Sequence, residues 1–156
     1  MKANKKIIEN LNLLLADELT AINQYIVQSE IYSNKGYKKL HDLVKKQAID
    51  EMKHAEKLIE RILFLEGTPE VSKVNRVRIG KDLEQQFGND IESEKEAVIM
   101  YNACISMAVK HNDNGTAELL RSILADEEKH LDWLETQLGQ MKELGIQNYL
   151  GEQVMA

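Results

Sequence analysis

The chain has 156 residues, 43% of them hydrophobic, with one proline, eight glycines and a formal charge of −6 at neutral pH. That length supplies the core of one domain, the shortage of helix breakers favours long helices with almost no strand, and interleaved charge with an acidic balance excludes a nucleic-acid surface. No apolar run is long enough to span a bilayer, the single cysteine Cys104 cannot close an internal disulfide, and the N-terminus lacks the apolar run of a signal peptide, so a reducing cytoplasm is expected.

In chain order, the first helix is predicted over about residues 4–35, ending where Gly36 can take the left-handed conformation. Its apolar stripe, read in steps of three and four, is Ile8, Leu11, Leu15, Glu18, Ile22, Tyr25. A second helix over about 37–66 carries Val44, Ala48, Glu51, Ala55, Leu58, Ile62. From Gly67-Thr68-Pro69 to Gly80 the chain reads as an irregular connection. The third helix, about 81–111, carries Phe87, Ile91, Glu94, Val98, Tyr101, Ile105, and ends in a polar turn at 111–115. The fourth, about 115–143, carries Leu120, Leu124, Glu127, Leu131, Leu134, Leu138, and a short fifth is expected at about 146–152. These elements make one all-α domain over residues 1–156.

Each of the four long stripes is interrupted by one glutamate. A buried, unpaired carboxylate costs several kcal/mol or takes up a proton, so four facing one core require a shared countercharge, which metal ions supply. Two of the glutamates also have a histidine three residues on, Glu51 with His54 and Glu127 with His130, and such pairs share a helix face. The chain repeats itself at an offset of 76 residues, which relates Glu18 to Glu94, Glu51 to Glu127, His54 to His130, Ala21 to Ala97 and Tyr25 to Tyr101. Within each half the glutamates lie 33 residues apart and are centred on a predicted turn, which sets them level in an antiparallel hairpin. A connection that leaves the second and third helices parallel must span about 36 Å, and the roughly 14 residues available reach ~46 Å when extended. The expected architecture is therefore a ferritin-like four-helix bundle with a long crossover between its second and third helices and a short fifth C-terminal helix.

One glutamate from each of two helices and one Glu-x-x-His from each of the other two is the general ligand set of di-iron carboxylate bundles. Glu18 and His54 would serve one ion, Glu94 and His130 the other, with Glu51 and Glu127 bridging, and four carboxylates neutralise two divalent cations. Hard oxygen donors with one imidazole per metal suit iron or manganese, and the absence of thiolate at the site argues against a structural zinc or an iron–sulfur cluster. Tyr25, seven residues after Glu18 on the same stripe, is the candidate electron donor during oxygen reduction. Asp17, Asp50 and Asp126 precede three of the glutamates and point off the seam, as solvated groups or as partners of the ligands. His41 and His111 read as surface or turn residues, Cys104 as a small core filler, Trp133 as packing near the site, and Met52, one step off the seam, as surface or interface packing.

The runs ADELTAINQY (16–25), IDEMKHAEKLIERILFLEGTPE (49–70), DEEKHLDWLETQL (126–138) and GIQNYL (145–150) closely resemble the bacterioferritin family over essentially the whole chain. By that resemblance Glu18, Glu51, His54, Glu94, Glu127 and His130 are ferroxidase ligands, and Met52, in its DEMKHA context, is an axial ligand of haem b shared with a second chain across a twofold axis. The resemblance further implies a hollow 24-chain cage built from such dimers, a stored ferric mineral, and reductive iron release through the haem with a small ferredoxin as donor. The chain departs from the pattern at Lys35, where many members have tryptophan, at Lys46, where some have an inner-surface histidine, and at Lys45, where some have an aromatic residue close to the haem. The expected activity is oxidation of iron(II) by dioxygen or peroxide followed by storage. The alternatives are a di-iron oxygenase or peroxidase, and a haem electron-transfer or scaffold assembly whose core glutamates are protonated.

Overall fold

Side-chain caps fix where three of the long helices begin, each worth ~1 kcal/mol. In the computed structural model, which describes residues 1–155, Asn4 accepts the Lys6 N–H at the head of α1 (Lys5–Asn34), Asp82 that of Gln85 at the head of α3 (Leu83–Lys110), and Asp113 that of Thr116 at the head of α4 (Asn114–Leu144). The other two helices are α2 (Lys38–Phe64) and the short α5 (Ile146–Gly151), and no strand occurs among the described residues.

The helix ends are as defined as the starts. After α1, Gly36 (φ 83°) turns the chain so that the Tyr37 N–H reaches the Tyr32 carbonyl at 2.9 Å, and after α3 Asn112 (φ 57°) brings Asp113 N–H to Ala108 O at 2.8 Å. At the end of α2 the left-handed residue is Glu66 (φ 62°). Gly67 answers a different need, since a Cβ on it would lie 2.8 Å from the Ile8 side chain of α1.

Cross-helix contacts give the topology. Along α1 from Tyr25 back to Glu18 the hydrogen-bonded partner on α3 moves forward from Glu94 to Tyr101, so these helices are antiparallel. Along α2 from His54 back to Glu51 the partner on α4 moves forward from Glu127 to His130, so these are antiparallel as well. With α1 and α2 joined by a tight turn, α2 and α3 run parallel, and residues 65–82 form the crossover of a ferritin-like bundle.

That crossover is held against α1 by polar side chains of the helix. Asn12 donates to Thr68 O and accepts from Glu70 N–H, the Thr20 hydroxyl accepts from Asn75 N–H at 2.7 Å, and Gln24 accepts from Arg78 N–H at 3.0 Å. Inside the bundle the apolar core is split in two. One cluster contains Leu11, Leu15, Leu58, Ile62, Tyr101 and Leu120; the other contains Tyr25, Val44, Phe87, Ile91, Leu134 and Tyr149. Four glutamates and two histidines interrupt the apolar stripes between these halves.

Candidate metal centre

Because each stripe presents one glutamate to the axis at the same level, the helices bring six polar side chains together in the core. Glu18 comes from α1, Glu51 and His54 from α2, Glu94 from α3, and Glu127 and His130 from α4, none more than 7% exposed. Their donor atoms form two groups, Glu18-Glu51-His54-Glu127 and Glu51-Glu94-Glu127-His130, with all atoms of a group within 4.8 Å of one another. Glu51 and Glu127 belong to both groups. Two ion-sized clusters sharing two carboxylates is the arrangement a bridged pair of cations requires.

The electrostatics are those of a site built for cations. His54 Nδ1 lies 2.9 Å from Glu127 Oε1, 3.5 Å from Glu51 Oε1 and 3.6 Å from Glu18 Oε2. On the opposite side His130 Nδ1 lies 3.1 Å from Glu51 Oε1, 3.8 Å from Glu127 Oε2 and 3.9 Å from Glu94 Oε1. Glu18 Oε2, Glu51 Oε1, Glu94 Oε2, Glu127 Oε2 and His130 Nδ1 are buried without an aligned hydrogen bond. Burial and the neighbouring Glu18 charge push Glu51 up to about 8 and Glu127 to about 7, and burial with the Glu127 charge raises Glu94 well above the carboxylate range. Burial also acts against Glu18, but the His54 ring outweighs it and leaves that carboxyl below its ordinary value. For both histidines burial favours the neutral ring, yet the surrounding carboxylates raise them, His130 to about 11. Without metal the cluster holds its surplus negative charge by retaining protons. Divalent cations can replace those protons, and the oxygen-rich donor set with one imidazole nitrogen per ion fits iron or manganese.

The far nitrogen of each ring is also held. His54 Nε2 donates to Asp126 Oδ2 at 3.0 Å and His130 Nε2 to Asp50 Oδ2 at 3.3 Å, which leaves each Nδ1 free to face the glutamates. Of the two roles open to these aspartates from sequence, the partner role is the one observed. Asp126→Ala should weaken cobalt(II) binding at the His54 side about 10- to 100-fold, because the ring loses its orienting acceptor. Unchanged affinity by titration would remove that role from Asp126.

Each half of the core sends a tyrosine into the polar layer. Tyr25 donates to Glu94 Oε1 at 2.5 Å, and Tyr101 donates to Glu18 Oε1 at 2.5 Å. The 76-residue repeat carries one contact onto the other, as it carries His54–Asp126 onto His130–Asp50. Tyr101 was legible only as a stripe residue in the sequence, although its place in the repeat was the signal that it mirrors Tyr25. Sequence reasoning also passed over Asp90, which is fully buried, accepts from Gln24 Nε2 at 2.7 Å and Gln28 Nε2 at 2.9 Å, and is pushed by burial to about 7.

The other candidates lie apart. Met52 is 45% exposed on the outside of α2, with Ile49 exposed one turn before it. Trp133 packs on Phe87 with ring centroids 5.7 Å apart, His41 Nδ1 meets the Ser29 carbonyl, and His111 follows the last turn of α3. Cys104 is buried in the core, which pushes its thiol up to about 11. A cavity of about 440 Å³ reaches all four glutamates from beneath the crossover, with Asp17, Arg78 and Glu96 in its wall. Asp17 is there bonded to Asn75 at 2.7 Å, and burial raises its carboxyl.

Residues 8–144 match the model of the ferritin-like domain. The chain is 40% identical to a bacterioferritin of Mycolicibacterium paratuberculosis over 149 residues, covering 96% of this chain and 94% of that protein. The chain belongs to the bacterioferritin family. A bacterioferritin of Streptomyces coelicolor is likewise 40% identical, over 96% of this chain and 90% of its own length, and a bacterial ferritin of Synechocystis sp. is 38% identical over 99% of both. The resemblance to the bacterial ferritin thus extends through the crossover and the fifth helix, beyond the helices that carry the buried glutamates and histidines. No helix among the described residues is long and apolar enough to cross a membrane.

Proposed function

We propose that this bacterioferritin-family chain is an iron-storage ferroxidase, oxidising iron(II) in pairs within each chain and depositing ferric product in a cage. The observation that carries the reading is the pair of buried four-donor groups sharing Glu51 and Glu127. Glu18 and His54 hold one ferrous ion, Glu94 and His130 the other, and the two shared carboxylates keep the ions adjacent so that both are oxidised together. Carboxylates that change denticity accommodate iron(II) and then iron(III). Asp50 and Asp126 hold the ring tautomers, while Tyr25, bonded to Glu94, supplies an electron to the oxidant, dioxygen or peroxide. The cavity beneath the crossover gives iron(II) its route, with the carboxylates of Asp17 and Glu96 along the way.

In this reading the chain forms a 24-chain homo-oligomeric cage of twofold dimers in the cytoplasm. The exposed Met52 of each chain would hold haem b between two chains, and the haem would supply electron transfer for iron release, with a small ferredoxin as donor. Met52→Leu should abolish haem binding and leave iron oxidation unchanged, as read from the visible spectrum after haem addition. Haem retained in that variant would refute the ligand.

The function is tested by stepwise aerobic addition of iron(II) to metal-free protein, following ferric absorbance and then the iron content of the sized particle. A fast phase saturating at two irons per chain, one for each donor group, followed by slow uptake far beyond it, is expected. Saturation with no further uptake would leave a di-iron oxygenase or peroxidase as the better description.

A further inference from the structure

Tyr101 is as buried as any residue in the bundle, 0% exposed, and its hydroxyl makes one hydrogen bond, to Glu18 Oε1. Tyr25, 1% exposed, makes the equivalent bond to Glu94. The two phenols approach the polar layer from opposite halves of the core, one from each apolar cluster. Each is thereby one carboxylate away from a different ion position, Tyr101 by Glu18 and Tyr25 by Glu94. A tyrosine retained only for packing would not need its hydroxyl aimed at the glutamate, and phenylalanine would fill the same space without a buried polar group.

We propose that Tyr101 is a second redox-active tyrosine, delivering one electron to the oxidant on the Glu18 side as Tyr25 does on the Glu94 side. This rests on the ferroxidase reading and carries a consequence of its own, that dioxygen is reduced to water with little release of peroxide. Two ferrous ions supply two electrons, which take dioxygen only to hydrogen peroxide. Two phenols supply two more electrons and two protons, each proton leaving along the hydrogen bond to Glu18 or Glu94. With two protons from solvent, dioxygen becomes two waters, both irons become ferric, and two neutral tyrosyl radicals remain. Two further iron(II) ions, oxidised to iron(III), reduce the radicals, and two protons taken up from solvent restore both phenols.

The test uses the assembled protein loaded with iron(II), mixed with dioxygen and freeze-quenched for electron paramagnetic resonance, alongside released peroxide and redox-silent zinc(II) binding. Tyr25→Phe should retain a tyrosyl radical that narrows when the protein carries ring-deuterated tyrosine and that disappears in Tyr25→Phe/Tyr101→Phe. Peroxide release should rise from a minor fraction of the dioxygen consumed in the unaltered protein to most of it in the double variant, with zinc(II) stoichiometry unchanged. Absence of any radical in Tyr25→Phe, or a radical that survives in the double variant with unchanged peroxide yield, would overturn the assignment. So would loss of one bound zinc(II) in the double variant, which would make Tyr101 a residue that positions Glu18. If the unaltered protein consumes no dioxygen with iron(II), the ferroxidase reading itself has failed. Oxidation without a Tyr101 radical overturns only the donor.

Discussion

Replacing Glu94 by leucine should lower the rate of iron(II) oxidation more than ~100-fold, because loss of an orienting partner alone costs about 10- to 100-fold and Glu94 is proposed as a donor itself. Metal binding should fall to one ion per chain from the two expected, since Glu94 belongs to only one of the two donor groups. The effect on folding is smaller and has two opposing parts. Taking a carboxyl out of a like-charged, buried cluster and filling its space with an apolar side chain stabilises by ~1–4 kcal/mol. The same change strips Tyr25 of its only acceptor and leaves a buried hydroxyl unsatisfied, at ~1–3 kcal/mol. Stability of the metal-free single variant should therefore change little, while Glu94→Leu/Tyr25→Phe should be more stable than the unaltered protein in denaturant titrations. A variant that keeps its oxidation rate would support a scaffold whose core glutamates are merely protonated.

Loading the metal-free protein with zinc(II) raises its unfolding temperature by more than ~10 °C at pH 8. At a thousandfold excess over the dissociation constant each site contributes ~4 kcal/mol, and for a chain of this size 1 kcal/mol corresponds to ~2–4 °C. The pH dependence follows from the direction of the shifts. Glu51 at about 8 and Glu127 at about 7 lie above their ordinary 4.5, so between those limits the folded chain holds protons that the unfolded chain has released. The histidines lie above their ordinary 6.5, which adds to the excess as pH rises past that value, whereas Glu18, lowered from 4.5, is ionised in both states over this range and contributes no slope. Because the folded chain binds more protons than the unfolded one over this range, metal-free stability declines from pH 6 to pH 8. Bound metal expels the protons, so the metal-loaded protein escapes this decline and the gap between the two widens with pH. Calorimetry at both pH values, with and without zinc(II), measures that gap. A gap independent of pH would mean that the core carboxyls carry no protons in the metal-free fold.

Periodicity made much of this protein legible. A stripe in steps of three and four assigns each residue to a face of its helix, and a glutamate on an otherwise apolar face is conspicuous wherever it falls. Equal spacing from the two turns put all four glutamates at one level, and the length of chain between Gly67 and Gly80 suited a crossover rather than a tight turn. Those are one-dimensional quantities, and together they yielded the ferritin-like architecture and the six side chains that meet. The place of Met52 was different, because nothing in its spacing distinguishes an outward methionine from ordinary surface packing. Its proposed role came from resemblance alone.

What the tertiary structure decided is which atoms face which. Asp50 and Asp126 sit one step off the seam, and only the approach of the opposite helix turns them from solvated groups into acceptors for His130 and His54. Tyr101 looked like core filler until its hydroxyl was found on Glu18. Asn12, Thr20 and Gln24 of α1 hold the crossover, a role that nothing in their spacing marks. Gly67 proved to admit Ile8, with Glu66 taking the left-handed turn. The physical reason is common to all of these: helical spacing fixes the direction of a side chain from its own axis, while a hydrogen bond depends on the axial shift, rotation and separation of a second axis. The sequence by itself thus determined the helices, their level and the collection of charge in the core, and the packing of one helix against another determined how that charge is held.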